Sequence, residues 1–275
     1  MSPTPVRTVI TNQLLVAQQN YLTRLMTADP PPQVSASGTY DTLIAVMLVD
    51  ADVVGDALPD GITLQPDAYT PLGQHPVILT LGTEISVIVK DLPGQLDYNE
   101  AIVAVPNVSV EGFENDGLAC YPTRIEVDDT IALTLGWAIG LPKELSVINV
   151  SANTYSVRSL LTRVEILSDS SVTLKGGTKP GDFPDFQYVA GLMRQPIVSR
   201  DVAGQFLFSA FRWDFAGAEL VQTNAHFTVD RNLPALPAGQ YKLHGFGSRL
   251  FGSGQLRVHW DLSGPFQTWP PPGAF

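Results

Sequence analysis

The chain has 275 residues, 44% of them apolar, with 27 acids against 16 bases and a formal net charge of −11. That length and apolar content support a sizeable core and exclude disorder and fibrous repeats, while the acidic balance, unbroken by any Lys/Arg cluster, argues against nucleic acid and anionic membranes as partners. A single cysteine, Cys120, and the scattered His75, His226, His244 and His259 exclude a disulfide scaffold and a structural zinc site.

Between Val9 and Met26, the residues Ile10, Leu14, Tyr21, Leu22 and Leu25 recur at near-helical offsets, and Asp29-Pro30-Pro31-Pro32 ends the segment because proline cannot continue a helix. Residues 1–32 are therefore expected to form an amphipathic helix and a Pro-rich linker, the helix packing as a lid on a sheet or at a subunit contact. Its apolar residues are interrupted by Asn, Gln and Arg, unlike a secretory signal. The longest uncharged apolar stretch, Thr130 to Pro142, is shorter than the about 20 residues that span a bilayer. A cytoplasmic protein with no membrane span is the expectation, and sequons at Asn107 and Asn149 then carry no weight.

From Thr42 onward the pattern has period two: Ile85/Val87/Val89 against Ser86/Lys90, Ile125/Val127 against Arg124/Glu126, and Val164/Ile166 against Arg163/Glu165. It returns at Val172/Leu174 and at Leu256/Val258/Trp260 against Arg257/His259/Asp261. Roughly ten strands with short turns predict a mainly β (α+β) fold, a large antiparallel barrel or sandwich. One internal helix is clearly signalled: Asp128 or Asp129 can cap TIALTLGWAIG, and Gly140 with Pro142 stops it. Lys143 then stands in a helix-to-strand corner, fixed by rigid elements on both sides.

Further on, Leu174 to Asp185 reads as a long turn-rich connection, and HGFGSRLFGSG at 244–254 as a β-turn rather than a phosphate loop, since it lacks a strand-to-helix context. The three prolines of TWPPPGAF predict an extended surface tail within 264–275. No composition shift divides the chain, so residues 1–275 read as one domain. G-x-S-x-G, P-loop, Rossmann and H-E-x-x-H signatures are all absent, which removes the commonest hydrolase, nucleotide and metallopeptidase readings.

Three blocks, DYNEAIVAVP (97–106), EVDDTIALTLGWAIGLPKEL (126–145) and FPDFQYVAGLMRQP (183–196), resemble the acetoacetate decarboxylase superfamily. Tyr98-Asn99-Glu100, Asp128-Asp129 and Gly140-Leu141-Pro142-Lys143 fall in the family's order, and the likeness runs from about Gly38 to Pro196. The resemblance implies that Lys143 forms a Schiff base with a keto acid or ketone and that Glu100 positions substrate or shuttles a proton. It further implies a homo-oligomer and a mainly β barrel of that family's type. No metal or organic cofactor is then required, because the iminium is itself the electron sink.

Tyr98 and Glu100, two apart on an extended segment, share one side of a sheet. With Tyr98, the expected substrate-binding residues are Leu141, where the family has an aromatic, and Glu144, where decarboxylases have a second lysine. A negative neighbour opposes activation of Lys143 unless Glu144 points away. The family's Arg-Glu pair is here Gly136-Trp137, and GTYDTLIAVML holds no arginine for a substrate carboxylate. A diverged decarboxylase, aldolase-dehydratase or cyclase of secondary metabolism fits these departures. The alternatives are a noncovalent pocket for an apolar molecule, helped by Phe206, Phe208, Phe211, Trp213 and Phe215, and a structural β-protein without pocket chemistry.

Overall fold

The computed structural model describes residues 5–27, 33–159, 163–168, 179–201, 203–231, 233–246 and 251–270. Helix α1 (Pro5–Thr27) precedes strand β1 (Val34–Asp50), short helix α2 (Ala51–Gly55), β2 (Ile62–Leu64), β3 (Gln74–Val89), β4 (Leu96–Val110) and β5 (Ala119–Val127). Helix α3 (Thr130–Ala138) leads into β6 (Lys143–Leu145), β7 (Val147–Val150), β8 (Thr154–Arg158) and β9 (Arg163–Ser168). Helix α4 (Pro184–Met193) is followed by β10 (Ile197–Arg200), β11 (Phe206–Trp213), β12 (Glu219–Gln222), β13 (Ala225–Val229), β14 (Gly239–Leu243) and β15 (Gly252–Phe266).

Strands β4, β3, β1, β15, β11, β10 and β5 pair in that order, and β5 pairs back onto β4, which closes a seven-strand barrel. Closure removes the unpaired edges that an open sheet would expose. Inside it, Tyr40, Ile44, Ile78, Ile125, Val258 and Leu262 form one core. A second, five-stranded antiparallel sheet, ordered β14-β13-β9-β8-β7, lies against the outside of β1, β3 and β4. Its Ile148, Val157, Ile166 and Phe227 meet Leu43, Leu79 and Val103 there. Barrel strands buried on both faces therefore read as continuous apolar runs such as LIAVMLV.

The alternation at β9 and β15 holds: Val164 and Ile166 are buried against exposed Arg163 and Glu165, and Leu256, Val258 and Trp260 against exposed Arg257 and His259. At β5 it does not mark a solvent face. Arg124 and Glu126 lie between the barrel and the second sheet, ion-paired at 2.6 Å, with Glu126 only 2% exposed. The fifteen strands among the described residues exceed the roughly ten expected, because short edge pieces such as β2, β6 and β12 carry too few residues to show a period.

Helix α1 docks through Gln18, Tyr21 and Leu25, while Leu14 is exposed; Ile10 lies outside the described side chains. The helix rests on the turn after β3, where Tyr21 Oη donates to Lys90 O at 3.0 Å and Gln18 Nε2 to Pro93 O at 3.1 Å. Turn carbonyls need donors, so a glutamine occupies the inner face. Asp129 is the cap of α3, its Oδ1 accepting from Ile131 N and Ala132 N at 2.8 Å. Helices α2 and α4 were not anticipated: α2 is short, but α4 opens with Pro184 and spaces buried Phe186, Val189, Ala190 and Met193 at helical offsets.

The C-terminal strand runs on through Phe266, so Gly264 to Phe266 belong to the barrel rather than to a tail, and Trp269 packs on Phe208 with ring centroids 5.2 Å apart. Residues 271–275, the tip of the 244–254 turn at 247–250, Val172/Leu174 and most of the 174–185 connection lie outside the described residues. Among the described residues no helix is long and apolar enough to cross a membrane. The inter-sheet core makes a direct prediction. Ile166, fully buried on the inner face of the second sheet, is expected to cost about 3 kcal/mol of stability as Ile166→Ala, read from urea unfolding midpoints.

Candidate active site

Helix α3 ends in a left-handed glycine turn that aims the following lysine. Gly140 has φ +77°, Gly140 N donates to Trp137 O at 3.1 Å, and Leu141 N to Gly136 O at 2.9 Å. This is the paired-bond terminus that glycine alone adopts without strain. A Cβ at Gly140 would in addition lie 2.7 Å from Arg200 O. The chain then reverses into β6, which pairs parallel to β5 with Lys143 opposite Ile125.

Strand alternation sends Lys143 into the barrel and Glu144 out of it. Glu144 forks with Arg124 on the outer side, so it is not brought to the cavity and does not face Lys143. The lysine stem lies across the backbone of α3: a Cβ on Gly136 would sit 2.3 Å from Lys143 Cδ. Trp137 Nε1 donates to Lys143 O at 2.8 Å. The Gly136-Trp137 pair thus provides a floor for the stem and an anchor for its backbone.

Strand β4 supplies the partner. Glu100 Oε1 accepts from Lys143 Nζ at 2.6 Å, with both residues under a tenth exposed, and the Tyr98 ring centroid is 5.4 Å from Nζ. Asn99, pointing the other way, donates through N and Nδ2 to the two oxygens of Asp128 at 2.7 Å each, pinning β4 to the turn that opens α3. The first two sequence blocks are therefore one mechanical unit. Leu141 also lines the cavity, so the fold brings Lys143, Glu100, Tyr98 and Leu141 to one cavity and leaves Glu144 outside it.

Sequence reasoning missed Glu84. Strict alternation from Val87 and Val89 assigns it to the opposite face, but β3 bulges at Ser86, φ 56°, and its register with β4 shifts between Glu84 and Val87. The bulge returns Glu84 to the inner face, directly across from Tyr98. It is 4% exposed and accepts from Trp260 Nε1 at 2.8 Å. Burial, and then the charge of Glu100, push the Glu84 carboxyl well above the usual carboxylate range, against the smaller pull of Trp260 and Lys143. Burial likewise pushes the Tyr98 phenol up, with Glu100 adding to the effect. No local signal reveals the bulge, although a glutamate inside an apolar strand is itself a marker.

The result is a cavity of about 100 Å3 inside the barrel, walled mostly by apolar side chains such as Val87, Val89, Leu96 and Phe211, with Lys143, Glu100 and Glu84 on one wall. An amine and two carboxyl groups at close quarters in an apolar enclosure are the parts for carbonyl and proton-transfer chemistry.

The same architecture is found in solved structures. One, an acetoacetate decarboxylase-like enzyme from Sphingomonas wittichii RW1, matches over 84% of this chain and 91% of its own at 13% identity, with a TM-score of 0.54. The chain has the acetoacetate decarboxylase-like fold. The enduracididine biosynthesis enzyme MppR, with HEPES buffer bound, matches over 85% of this chain and 86% of its own at 15% identity and a TM-score of 0.50. No protein-family model matches the sequence, and no curated protein matches it significantly.

The raised Glu84 has a measurable consequence. Its carboxyl binds a proton more tightly folded than unfolded, so its contribution to stability is complete below the ordinary value of 4.5 and falls as pH rises toward its folded value. Urea unfolding from pH 4.5 to 8 is expected to show wild type losing stability relative to Glu84→Gln as pH increases. A difference independent of pH would show that Glu84 titrates normally.

Proposed function

We propose that this chain is a lyase-type enzyme that binds a keto acid or ketone as an imine on Lys143. The observation that carries the reading is the Lys143 amine held 2.6 Å from Glu100 on the wall of an apolar cavity. An amine attacks a carbonyl only when unprotonated, whereas free lysine has a pKa of about 10.4, and one route to the free amine is transfer of its proton to a base in contact. Glu100 takes that role.

Glu100 accepts a proton from the ammonium, and the Nζ lone pair forms the new C–N bond while the carbonyl π pair moves to oxygen. The oxygen gains two protons in all and leaves as water, with breakage of the C–O bond. The net change is ammonium plus carbonyl to iminium plus water, and Glu100 ends as the carboxylate beside the iminium. Glu84, whose proton burial holds more tightly than usual, lends a proton to the departing oxygen and regains one as the nitrogen sheds its second, so it too ends as it began. The Tyr98 ring stabilises the cation through its π face. The iminium then draws electrons from the adjacent carbon, which allows loss of CO2 or formation of an enamine nucleophile.

A second reading draws on the same ion pair. If Lys143 and Glu100 remain paired, Lys143 is a fixed polar anchor and the cavity holds an apolar molecule noncovalently. Borohydride reduction in the presence of a panel of keto acids and uncharged ketones separates the two. Imine chemistry adds the mass of the reduced substrate to the Lys143 peptide, Lys143→Ala gives no adduct, and Glu100→Gln slows trapping by about a hundredfold. Folded wild-type protein that gains no mass from any member supports the noncovalent reading. Gly136→Ala offers a milder test: its Cβ displaces the lysine stem, and trapping is expected to fall while the thermal midpoint shifts by only a few degrees.

A further inference from the structure

Resting on the imine reading, we infer that the Lys143 cavity selects uncharged carbonyl compounds with apolar arms and discriminates against carboxylate-bearing ones. Among the described residues that line the cavity, Lys143 is the only cation, and it is already matched by Glu100 at 2.6 Å. Of the three Lys and Glu residues on the wall, the third, Glu84, is also acidic. No Arg, His or second Lys among the described lining residues is available to meet a substrate carboxylate.

The charge balance holds through the reaction only for a neutral substrate. Ammonium plus uncharged carbonyl gives iminium plus water, so one positive charge faces Glu100 both before and after. A carboxylate would add an unpaired negative charge to a low-dielectric space beside two acidic side chains, which burial makes costly. Protonation of Glu84 relieves part of the repulsion but provides no counter-charge. The position next to Lys143 holds Glu144, and its outward fork with Arg124 keeps that arginine on the far side of the sheet. The rest of the lining is mostly hydrocarbon, including Val89, Leu96, Ile125 and Leu262. The chain's net charge of −11 also disfavours approach of small anions from solution.

Near-isosteric pairs test this directly: acetoacetate against acetoacetamide, and pyruvate against pyruvamide. Each is trapped on the whole protein with cyanoborohydride at neutral pH, quantified by intact mass and by the Lys143 peptide, and normalised to trapping on free N-acetyl-lysine. The uncharged member is expected to give about tenfold or more adduct than its anion. Equal or greater labelling by the anions overturns the inference and leaves the imine reading standing. If no compound is trapped, the imine reading fails. Calorimetric titration of the same pairs then decides selectivity by itself: tighter binding of the amides supports it, while equal or tighter binding of the anions, or binding of neither, overturns it.

Discussion

The structure is organised around an ion pair placed where water is scarce. Lys143 and Glu100 are both nearly buried, and Glu84 adds a second carboxyl to the same wall. A charge removed from water must be paired or neutralised, or the fold does not tolerate it. Both responses are present here: Lys143 pairs with Glu100, and Glu84 is driven toward its neutral form while accepting from Trp260. The surrounding architecture supplies what this requires. Strands β3, β4, β6 and β15 contribute Glu84, Glu100, Lys143 and Trp260 in turn, and pairing within the closed sheet holds them in register.

A second polar cluster sits one strand-thickness away without mixing with the first. Arg124 links Glu126 and Glu144 between the barrel and the outer sheet, and Ser146 donates to Glu126. Consecutive residues of β6 thus serve opposite layers, Lys143 the cavity and Glu144 the interface. The acidic neighbour that looked unfavourable for a reactive lysine is spent on Arg124 instead. This separation depends on the alternation of side chains across a pleated strand.

The outer sheet explains much of the composition as well. Covering β1, β3 and β4 on the outside makes those strands apolar on both faces, so they lose the in/out pattern that usually identifies a strand's orientation. In β5 the covered outer face carries charges, and the same alternation pointed to solvent where the structure has a buried network. Burial of a sheet face by a distant segment leaves no trace in the local sequence of the strand it covers.

Local chemistry was legible in the chain. The Asp cap and Gly140 terminus of α3, and the placing of Lys143 in a rigid corner, depend on residues within a few positions of one another. Tyr98 and Glu100 share a face because they are two apart on a strand, which is also local. The missing helix α4 had its own spacing and could have been read. What only the tertiary structure decided are the relations between distant segments: that Lys143 meets Glu100 across 43 positions, that Glu144 turns to Arg124, and that Gly136 lies bare so that a lysine stem can cross it. Glu84 belongs to this group, since a single bulged residue reverses the face of everything before it. Propensity and capping act over a few residues, whereas register, closure and burial are set by pairing between strands far apart in the chain, and a one-residue shift there exchanges the two faces.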